Sequence, residues 1–422
     1  MKNIATTLIT AILTAATAFA QQHIDTRTQI FDSNFKSLQV KLSGNDYFPP
    51  VLMMNSDKVI EVRFDELSPE LSYLRYSVIH CNADWQPSAL VDTEYLDGFN
   101  YANIEDYEYS SGTFTHFVHY SFSLPNEDMS FTKSGNYLVQ VYREDEPDVI
   151  LLQARFSVCE NAVSVYPSVS SRTDIDYNAG HQQIDITVDT RDYQIRDIYQ
   201  DLMVFVNQNS RIDNEAYVNK PLRVMGSKAV FEHNRDLIFP AGNEYRRMEI
   251  VAVNYPTMRV ARVEYFDPFY HATLYTDEPR TDAMYLYDKT QNGRYTIRNA
   301  ETDDSDGRAD YIVTHFSLAT GERLTGGKIY VDGEFTNHLF SSDALMNYDA
   351  TTGCYVADIL LKQGAYNYQY LYVPDGTDVG LTATIEGDKY QTVNEYAVRV
   401  YNRRQGERYD RMIGFGMVFS GR

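Results

Sequence analysis

Short segments in which apolar and polar residues alternate run through almost the whole chain. In "KVIEVRFDEL" (residues 58–67), Ile60, Val62 and Phe64 fall on one face, with polar Glu61 and Arg63 on the other. A period of two fits a β-strand that buries one face. Turn residues separate these segments, and no long helical pattern interrupts them. The sequence therefore predicts an all-β fold of tandem β-sandwich domains.

The strand segments fall into three groups that follow an N-terminal leader. They predict an N-terminal β-sandwich domain over residues 21–160, a middle β-sandwich domain over 161–272 and a C-terminal β domain with a short tail over 273–422. The last group contains "GGKIYVDGEFTNH" and "LKQGAYNYQYLYV", a pattern similar to the early-set, immunoglobulin-like sandwich found beside starch- and glycogen-binding modules. No repeat of fixed period is evident, which disfavours a propeller or a solenoid.

The chain is rich in tyrosine, with 35 Tyr against one Trp. In "YNYQYLY" the four tyrosines Tyr366, Tyr368, Tyr370 and Tyr372 alternate with other residues. This spacing predicts an aromatic ladder on one face of a half-exposed strand.

The leader "MKNIATTLITAILTAATAFA" (residues 1–20) carries one Lys, an apolar stretch and a final A-x-A. This pattern predicts a signal peptide cleaved after Ala20. No later run is long and apolar enough to cross a membrane as a helix, so we expect an exported protein without direct membrane insertion. The net charge is −22 and no basic cluster stands against it, which argues against nucleic-acid binding.

Motifs for common chemistries are missing from the sequence. It contains no nucleophile elbow, P-loop or dinucleotide fingerprint, and no pair of acids is singled out for glycoside hydrolysis. Asp304, Asp306 and Asp310 are spaced like part of a calcium loop but lack its final Glu, so a solvated acidic turn is the better interpretation. His116 and His119 are three apart on a predicted strand and cannot easily share a metal. We expect no metal, no cofactor and no catalytic residue.

Three cysteines, Cys81, Cys159 and Cys354, are widely spaced and form no C-x-x-C motif. An odd number leaves at least one thiol unpaired. Buried, unreactive cysteines are the favoured interpretation.

The stretch "HCNADWQPSALVDTEYLDGF" (residues 80–99) contains the only tryptophan, Trp85, together with a histidine, a thiol and several acids. Asp84 and Glu94 could act as general acid and base, and Trp85 could form a sugar platform. The segment nevertheless reads as a strand that enters a turn, with Pro87 just beyond. A tryptophan beside such a turn commonly buries its ring, so we expect Trp85 to be a structural anchor.

The chain resembles the type IX secretion system plug proteins of Bacteroidota, a family formerly described only as a domain of unknown function. The similarity follows an ordered set of segments over about residues 24–415. These segments are "HCNADWQPSALVDTEYLDGF", "YEYSSGTFTHFVHYSFSLPNEDMSFTKSGNYLVQVY", "NEYRRMEI", "LKQGAYNYQY" and "IEGDKYQTVNEYAVRVYNRR".

The resemblance implies a periplasmic protein, not an enzyme, that is associated with the outer membrane. Its partner would be the outer-membrane translocon barrel of the type IX secretion system, a protein of the SprA or Sov kind. The protein would bind the periplasmic opening of that barrel and block it when no cargo is engaged. The alternative is a carbohydrate-binding protein of an outer-membrane polysaccharide uptake system. The early-set pattern and the many tyrosines favour this alternative.

Aromatic side chains dominate the binding energy of many protein interfaces. On that basis Trp85, Tyr95, Phe99 and Phe114 are our candidate contact residues. Burial in the core is the competing interpretation for each of them.

Overall fold

The computed structural model describes residues 24–421, and the predicted signal peptide lies outside them. Strands make up 47% of the chain and helices 4%, which confirms the all-β prediction. In β4 (Ile60–Glu66) the predicted inward residues Ile60, Val62 and Phe64 are fully buried. The alternation in the sequence thus becomes a core face because the pleat sends successive side chains to opposite sides.

The first unit comprises twelve strands and one short helix. Its strands are β1 (Gln29–Ile30), β2 (Phe35–Leu42), β3 (Val51–Met53), β4, β5 (Leu74–Cys81), β6 (Leu96–Gly98), β7 (Ala102–Asn103), β8 (Asp106–Tyr109), β9 (Val118–Leu124), β10 (Met129–Phe131), β11 (Gly135–Arg143) and β12 (Glu146–Cys159). Helix α1 spans Asp92–Tyr95. One sheet has the order β1-β12-β11-β5-β7, with β3 parallel to β12, and a second has the order β2-β4-β9-β8. The two enclose one hydrophobic core, which is consistent with a β-sandwich.

The middle unit is built from two separate stretches of chain. Its first stretch holds helix α2 (Ile198–Asp201), a 3-10 turn at Arg235–Leu237 and β13 (Ser164–Ser170), β14 (His181–Asp189), β15 (Leu202–Gln208), β16 (Ala216–Val218), β17 (Arg223–Met225), β18 (Lys228–Phe231) and β19 (Ile238–Pro240). The last two strands of the chain complete it, in the sheet order β16-β15-β29-β30. They are β29 (Glu395–Asn402) and β30 (Arg411–Phe419).

The third unit lies between these two stretches. It contains a 3-10 turn at Glu334–Thr336 and β20 (Arg246–Glu249), β21 (Val260–Phe266), β22 (Phe269–Leu274), β23 (Tyr295–Ile297), β24 (Tyr311–Ala319), β25 (Gly327–Asp332), β26 (Leu345–Asp349), β27 (Cys354–Lys362) and β28 (Gly364–Pro374). Their order is β20-β28-β25-β26-β27-β24-β22-β21, and β23 also pairs with β28. These strands surround a core of their own.

This pairing groups the chain differently from the predicted domain borders. The predicted border between residues 272 and 273 falls within β22, and β29 pairs with β15 rather than with a strand of the third unit. Alternation within a strand does not reveal which distant strand will pair with it. The periodicity of the sequence therefore could not predict that β29 pairs with a strand of the middle unit.

The tyrosine ladder was predicted to lie on a half-exposed strand. This prediction of exposure is wrong. Tyr366, Tyr368 and Tyr370 do share the third core, and the rings of Tyr368 and Tyr370 lie 5.7 Å apart. The opposite face is buried too, since Gln369 is only 3% exposed. Its amide donates to Asp332 and to the Tyr245 hydroxyl, so polar neighbours cover this face instead of water.

Candidate interaction surface

The turn after β5 places Trp85 inside the molecule, as the sequence predicted. The backbone N–H of Trp85 donates to the Asn82 carbonyl, and the Asn82 N–H donates to the carbonyl of Gln86. Trp85 adopts a left-handed conformation with φ of 64°, which is unfavourable for a residue with a side chain. The ring is only 7% exposed, so packing in this turn compensates for the backbone strain.

Two guanidinium groups lie over the Trp85 ring. That of Arg155 in β12 is 4.4 Å from the ring centre, and that of Arg399 in β29 is 5.4 Å away. Arg399 belongs to the middle unit, so these cation–π contacts join the first and middle units. Trp85 therefore offers no exposed face on which a sugar ring could stack.

The histidine of the same stretch serves the structure. His80 is buried, its Nε2 lies 3.0 Å from the Ser134 carbonyl oxygen, and its Nδ1 lies 2.9 Å from Oγ of Ser88. Burial lowers the pKa of His80 to about 4. The nearby acids are held elsewhere, since Asp84 accepts from the N–H of Gln86 and Glu94 pairs with Arg408. These groups do not converge into an acid–base pair.

Tyr95 is buried as well, at the end of α1. Its hydroxyl lies 3.1 Å from the Val78 carbonyl oxygen and 2.6 Å from Oδ1 of Asp92. The side chain is only 3% exposed. Of the four aromatic candidates, burial thus leaves Phe99 and Phe114 as those that a partner could reach.

Phe99 lies on the surface beside a second aromatic residue. It is 70% exposed, and its ring centre lies 5.9 Å from that of Tyr101. The Arg75 guanidinium lies 5.6 Å from the Tyr101 ring centre. This small exposed group sits next to the short edge strand β7.

Phe114 belongs to a larger surface that links two units. Its ring centre lies 5.2 Å from that of Tyr265 and 5.1 Å from that of Tyr270, and those two rings are 5.1 Å apart. We name these three residues the aromatic cluster. Phe114 comes from the first unit, whereas Tyr265 and Tyr270 face each other across the β21–β22 hairpin of the third unit. Phe114 is 58% exposed and Tyr265 44%, so both can contact a partner.

A buried carboxylate fixes the loop that carries Phe114. Asp310 accepts from the backbone N–H of Phe114 at 2.7 Å and from that of Thr115 at 3.0 Å. Asp310 is 5% exposed, so the interpretation of this acidic segment as a solvated turn is wrong at that residue. Because the amides of a loop in another unit solvate its charge, Asp310 acts as a connector between units.

The other acids of this segment do not form a metal site. Asp304 is exposed, and Asp306 lies 3.5 Å from Arg63. Within residues 24–421 no group of three or more His, Cys, Asp or Glu side chains could hold a metal ion.

A second exposed apolar surface was not predicted from the sequence. Met284 is 93% exposed and Leu286 81%, the highest values among the large apolar residues of the described chain. Between them, the Tyr285 hydroxyl donates to Oε1 of the buried Glu244 at 2.7 Å. The apolar segment "AMYLY" (residues 283–287) was visible in the sequence, but only the fold shows that its middle residue anchors an outward-facing tip.

Buried polar contacts hold the three units together. Lys362 of the third unit lies 2.6 Å from Asp65 of the first, and Arg294 of the third unit lies 2.8 Å from Glu395 of the middle unit. Asp410 of the middle unit accepts from the N–H of Ala83 in the first. Each contact spans two units, so the units are fixed against one another.

The three cysteines are free thiols. Cys81 and Cys159 are buried as expected, and burial raises the pKa of each to about 12. Cys354 is half-buried at the start of β27. None of the three therefore contributes a disulfide to the fold.

No helix among residues 24–421 is long and apolar enough to cross a membrane. A search of curated proteins returned no match. Among solved structures, a hypothetical protein from Parabacteroides merdae is 42% identical, with a TM-score of 0.93, over 94% of this chain and 100% of its own. An alkylpurine DNA glycosylase from Pseudomonas fluorescens is 10% identical over 30% of each chain, and its TM-score of 0.17 carries no argument.

The family model that matches this sequence is the first domain of the type 9 secretion system plug protein. It covers residues 35–160, which is almost the whole of the first unit from β2 to the end of β12. This stretch contains the turn around Trp85 and the loop that carries Phe114. The first unit of this chain therefore belongs to the type IX secretion system plug protein family, as the sequence resemblance predicted.

Proposed function

We propose that this protein is a periplasmic plug, exported by a cleaved signal peptide, that binds the periplasmic opening of the type IX outer-membrane translocon barrel. It closes the barrel by occlusion when no cargo is engaged, without catalysis and without a cofactor. The observation that carries the proposal is the match of residues 35–160 to the plug family.

Rigidity supports this role. A body that fills a pore must not deform when solutes press against it, and connections between its parts must survive in water. In this chain Asp65, Lys362, Arg294 and Glu395 form inter-unit ion pairs whose side chains are each at most 9% exposed. Removal of one partner from such a buried pair costs about 3–5 kcal/mol, so relative motion of the units is strongly opposed.

The exposed apolar side chains provide candidate contacts with the barrel. We propose that the aromatic cluster takes part in docking, since aromatic residues are enriched among the residues that dominate interface energies. Phe114 and Tyr265 come from different units and are held together by the inter-unit contacts. A rigid surface of this kind loses little conformational entropy on binding, which favours a tight but reversible complex.

The proposal can be tested in a strain that uses this protein. An affinity-tagged copy, extracted from native outer membranes in detergent, should co-purify with the translocon barrel. Deletion of the gene should increase entry of a periplasm-reporting dye, and the wild-type gene should restore the barrier. A tagged protein that recovers no barrel, in a strain whose permeability does not change on deletion, would contradict the plug function.

A matched pair of variants locates the contact. Phe114→Ala combined with Tyr265→Ala removes two exposed rings and should reduce recovery of the barrel. Tyr166→Ala is the control, because Tyr166 is 60% exposed but lies on β13 of the middle unit. Equal loss in both proteins would argue against the aromatic cluster as the docking surface while leaving the plug function open.

A further inference from the structure

A cleft made of two adjoining pockets opens where the three units meet. Its outer mouth has a volume of about 780 Å³ and its inner chamber about 190 Å³. The two spaces share five lining residues and therefore adjoin each other. These residues form the throat of the cleft: Trp85, Arg155, Ile212, Glu215 and His338.

The inner chamber is lined largely by apolar side chains from the first and middle units. They include Leu38, Val40, Pro49, Phe156, Ala397 and Phe415. An apolar cavity of about 150 Å³ is large enough to bind benzene, so this chamber can take a group of that size. Water gains few hydrogen bonds on such walls, and an apolar ligand group would displace it favourably.

Arg155 is the arginine at the throat, which also contains the carboxylate of Glu215. Its Nε donates to the Thr26 carbonyl oxygen at 2.7 Å and its Nη2 donates to the Thr26 hydroxyl at 2.8 Å. The guanidinium also lies over Trp85. Burial lowers the pKa of Arg155 to about 10, although the nearby Glu215 carboxylate opposes this shift.

The other arginines that burial perturbs most in this chain each have a carboxylate within ion-pair distance. Arg155 has none among residues 24–421. The four that do are Arg211 with Asp213, Arg246 with Asp277 and Glu386, Arg294 with Glu395, and Arg399 with Glu215. A cation shielded from water is normally paired, so the half-buried Arg155, which has no carboxylate within ion-pair distance, can take an external anion.

Acids near the throat do not fill that place, because none of them lies within ion-pair distance of Arg155. Glu215 is paired with Arg399, Asp213 with Arg211 and Asp25 with Arg27. Glu334, on the chamber wall, accepts from the Tyr295 N–H at 3.3 Å. His338 lies 2.9 Å from Asp332.

We propose that this cleft binds a ligand that consists of a compact apolar group and a single carboxylate. The apolar group occupies the inner chamber, and the carboxylate accepts hydrogen bonds from the free side of the Arg155 guanidinium. Thr26 already engages Nε and Nη2, so the remaining donors lie on the Nη1 side. The acids that line the mouth repel a dianionic phosphate more strongly than a monoanion. Such a carboxylate belongs either to a small organic acid or to the C-terminus of a peptide. The proposal does not depend on the plug function.

Trp85 makes the test direct, because it is the only tryptophan in the chain and lies at the throat. Phenylpropionate and its neutral amide, phenylpropionamide, are titrated into the wild-type protein. Trp85 fluorescence and calorimetric heat are recorded together. We expect saturable binding of the acid and roughly tenfold or more weaker binding of the amide, since a hydrogen bond to a charged group is stronger than one to a neutral group. Equal binding of acid and amide, or no saturable signal from the acid, overturns the proposal.

Two variants locate the site. Arg155→Met should weaken the binding of phenylpropionate by about tenfold or more. Val40→Phe, which fills the inner chamber, should weaken the binding of the acid and of the amide to a similar extent. The control is Arg172→Met, which removes a guanidinium that lies 5.1 Å from the ring of the exposed Tyr177, and it should bind like wild type. If Arg155→Met does not fold, the acid–amide comparison in the wild-type protein still decides.

The source of the carboxylate is resolved by a glycine-glycine-phenylalanine tripeptide with either a free or an amidated C-terminus. Saturable binding of the free form only, with the same loss in Arg155→Met, supports a peptide C-terminus. Binding of phenylpropionate but of neither tripeptide supports a small organic acid.

Discussion

Lys362 and Asp65 lie 297 positions apart in sequence, yet Nζ of one is 2.6 Å from Oδ2 of the other. Both side chains are only 1% exposed. Lys362 comes from β27 of the third unit and Asp65 from β4 of the first. Burial opposes the charge of Asp65, but Lys362 and His119 outweigh this effect and hold the pKa of Asp65 below its ordinary value of 3.8. The pair is therefore ionised and joins two units.

Removal of the lysine charge should destabilise the protein strongly. Lys362→Met leaves the Asp65 carboxylate buried beside an apolar chain, and we expect a loss of about 3–5 kcal/mol in the free energy of unfolding. The measurement is urea unfolding at neutral pH, followed by circular dichroism.

The control for this variant is an ion pair on the surface. Arg262 and Glu264 lie 3.0 Å apart and are 65% and 46% exposed. Glu264→Gln should change stability by less than about 1 kcal/mol. If Lys362→Met unfolds no more easily than Glu264→Gln, the Lys362–Asp65 pair does not lock the units.

Stability should fall as the pH is lowered from about 6.5 to 4, and His80 should be one cause. Burial lowers its pKa from 6.5 to about 4, so in this window the unfolded chain binds the proton and the folded chain does not. Protons therefore favour the unfolded state, by roughly 3 kcal/mol at the acidic end. Asp65 adds little slope here, since the unfolded carboxyl takes up its proton mainly near and below its ordinary pKa of 3.8.

Urea unfolding of wild type and His80→Gln at both ends of this range checks the assignment. Gln keeps a donor for the Ser134 carbonyl but does not titrate, so its stability should depend less on pH. His116→Gln is the control at an exposed histidine and should retain the wild-type fall. Equal pH dependence in wild type and His80→Gln would refute the role of His80.

Thiol chemistry should distinguish the three cysteines. In the folded protein Cys81 and Cys159 should not react with a thiol reagent, because both are buried and burial raises their pKa to about 12. Cys354 is half-buried and should react slowly, and Cys354→Ser should abolish this reaction. All three should react after unfolding without a reductant. Fewer than three reactive thiols in the unfolded chain would reveal a disulfide that contradicts this structure.

The aromatic cluster should contribute to affinity for the barrel rather than to folding. Phe114 and Tyr265 are both exposed, so replacing each by Ala should leave the unfolding midpoint nearly unchanged while raising the Kd for the purified barrel by about tenfold or more. Met284→Ser provides a comparison at the second exposed surface. A larger loss of affinity in Met284→Ser than in the double alanine variant would indicate that the docking surface lies at residues 283–287 instead.

Local features of the fold were accessible from the sequence. Alternation in residues 58–67 predicted the buried face of β4 because side-chain direction in a strand has a period of two. The turn residues around Trp85 predicted its burial because Asn82 and Pro87 end the strand there. In both cases the residues that determine burial lie within a few positions of the buried side chain in sequence.

Features that depend on distant parts of the chain were not accessible. No residue near Asp65 in sequence predicts its ion pair with Lys362, and no residue near Phe114 predicts its ring contact with Tyr265. The burial of Gln369 likewise depends on Asp332 and Tyr245, which come from other segments. Contacts of this kind follow from strand pairing, and many pairings satisfy the same local pattern.

The most direct test of the plug function uses the purified translocon barrel in liposomes that hold a fluorescent dye. If the protein occludes the periplasmic opening, its addition on that side should stop dye efflux in a saturable manner. The variant with alanine at Phe114 and Tyr265 should require a higher concentration to do so. Efflux that continues unchanged at saturating wild-type protein, from barrels shown to be oriented with that opening accessible, would contradict the account.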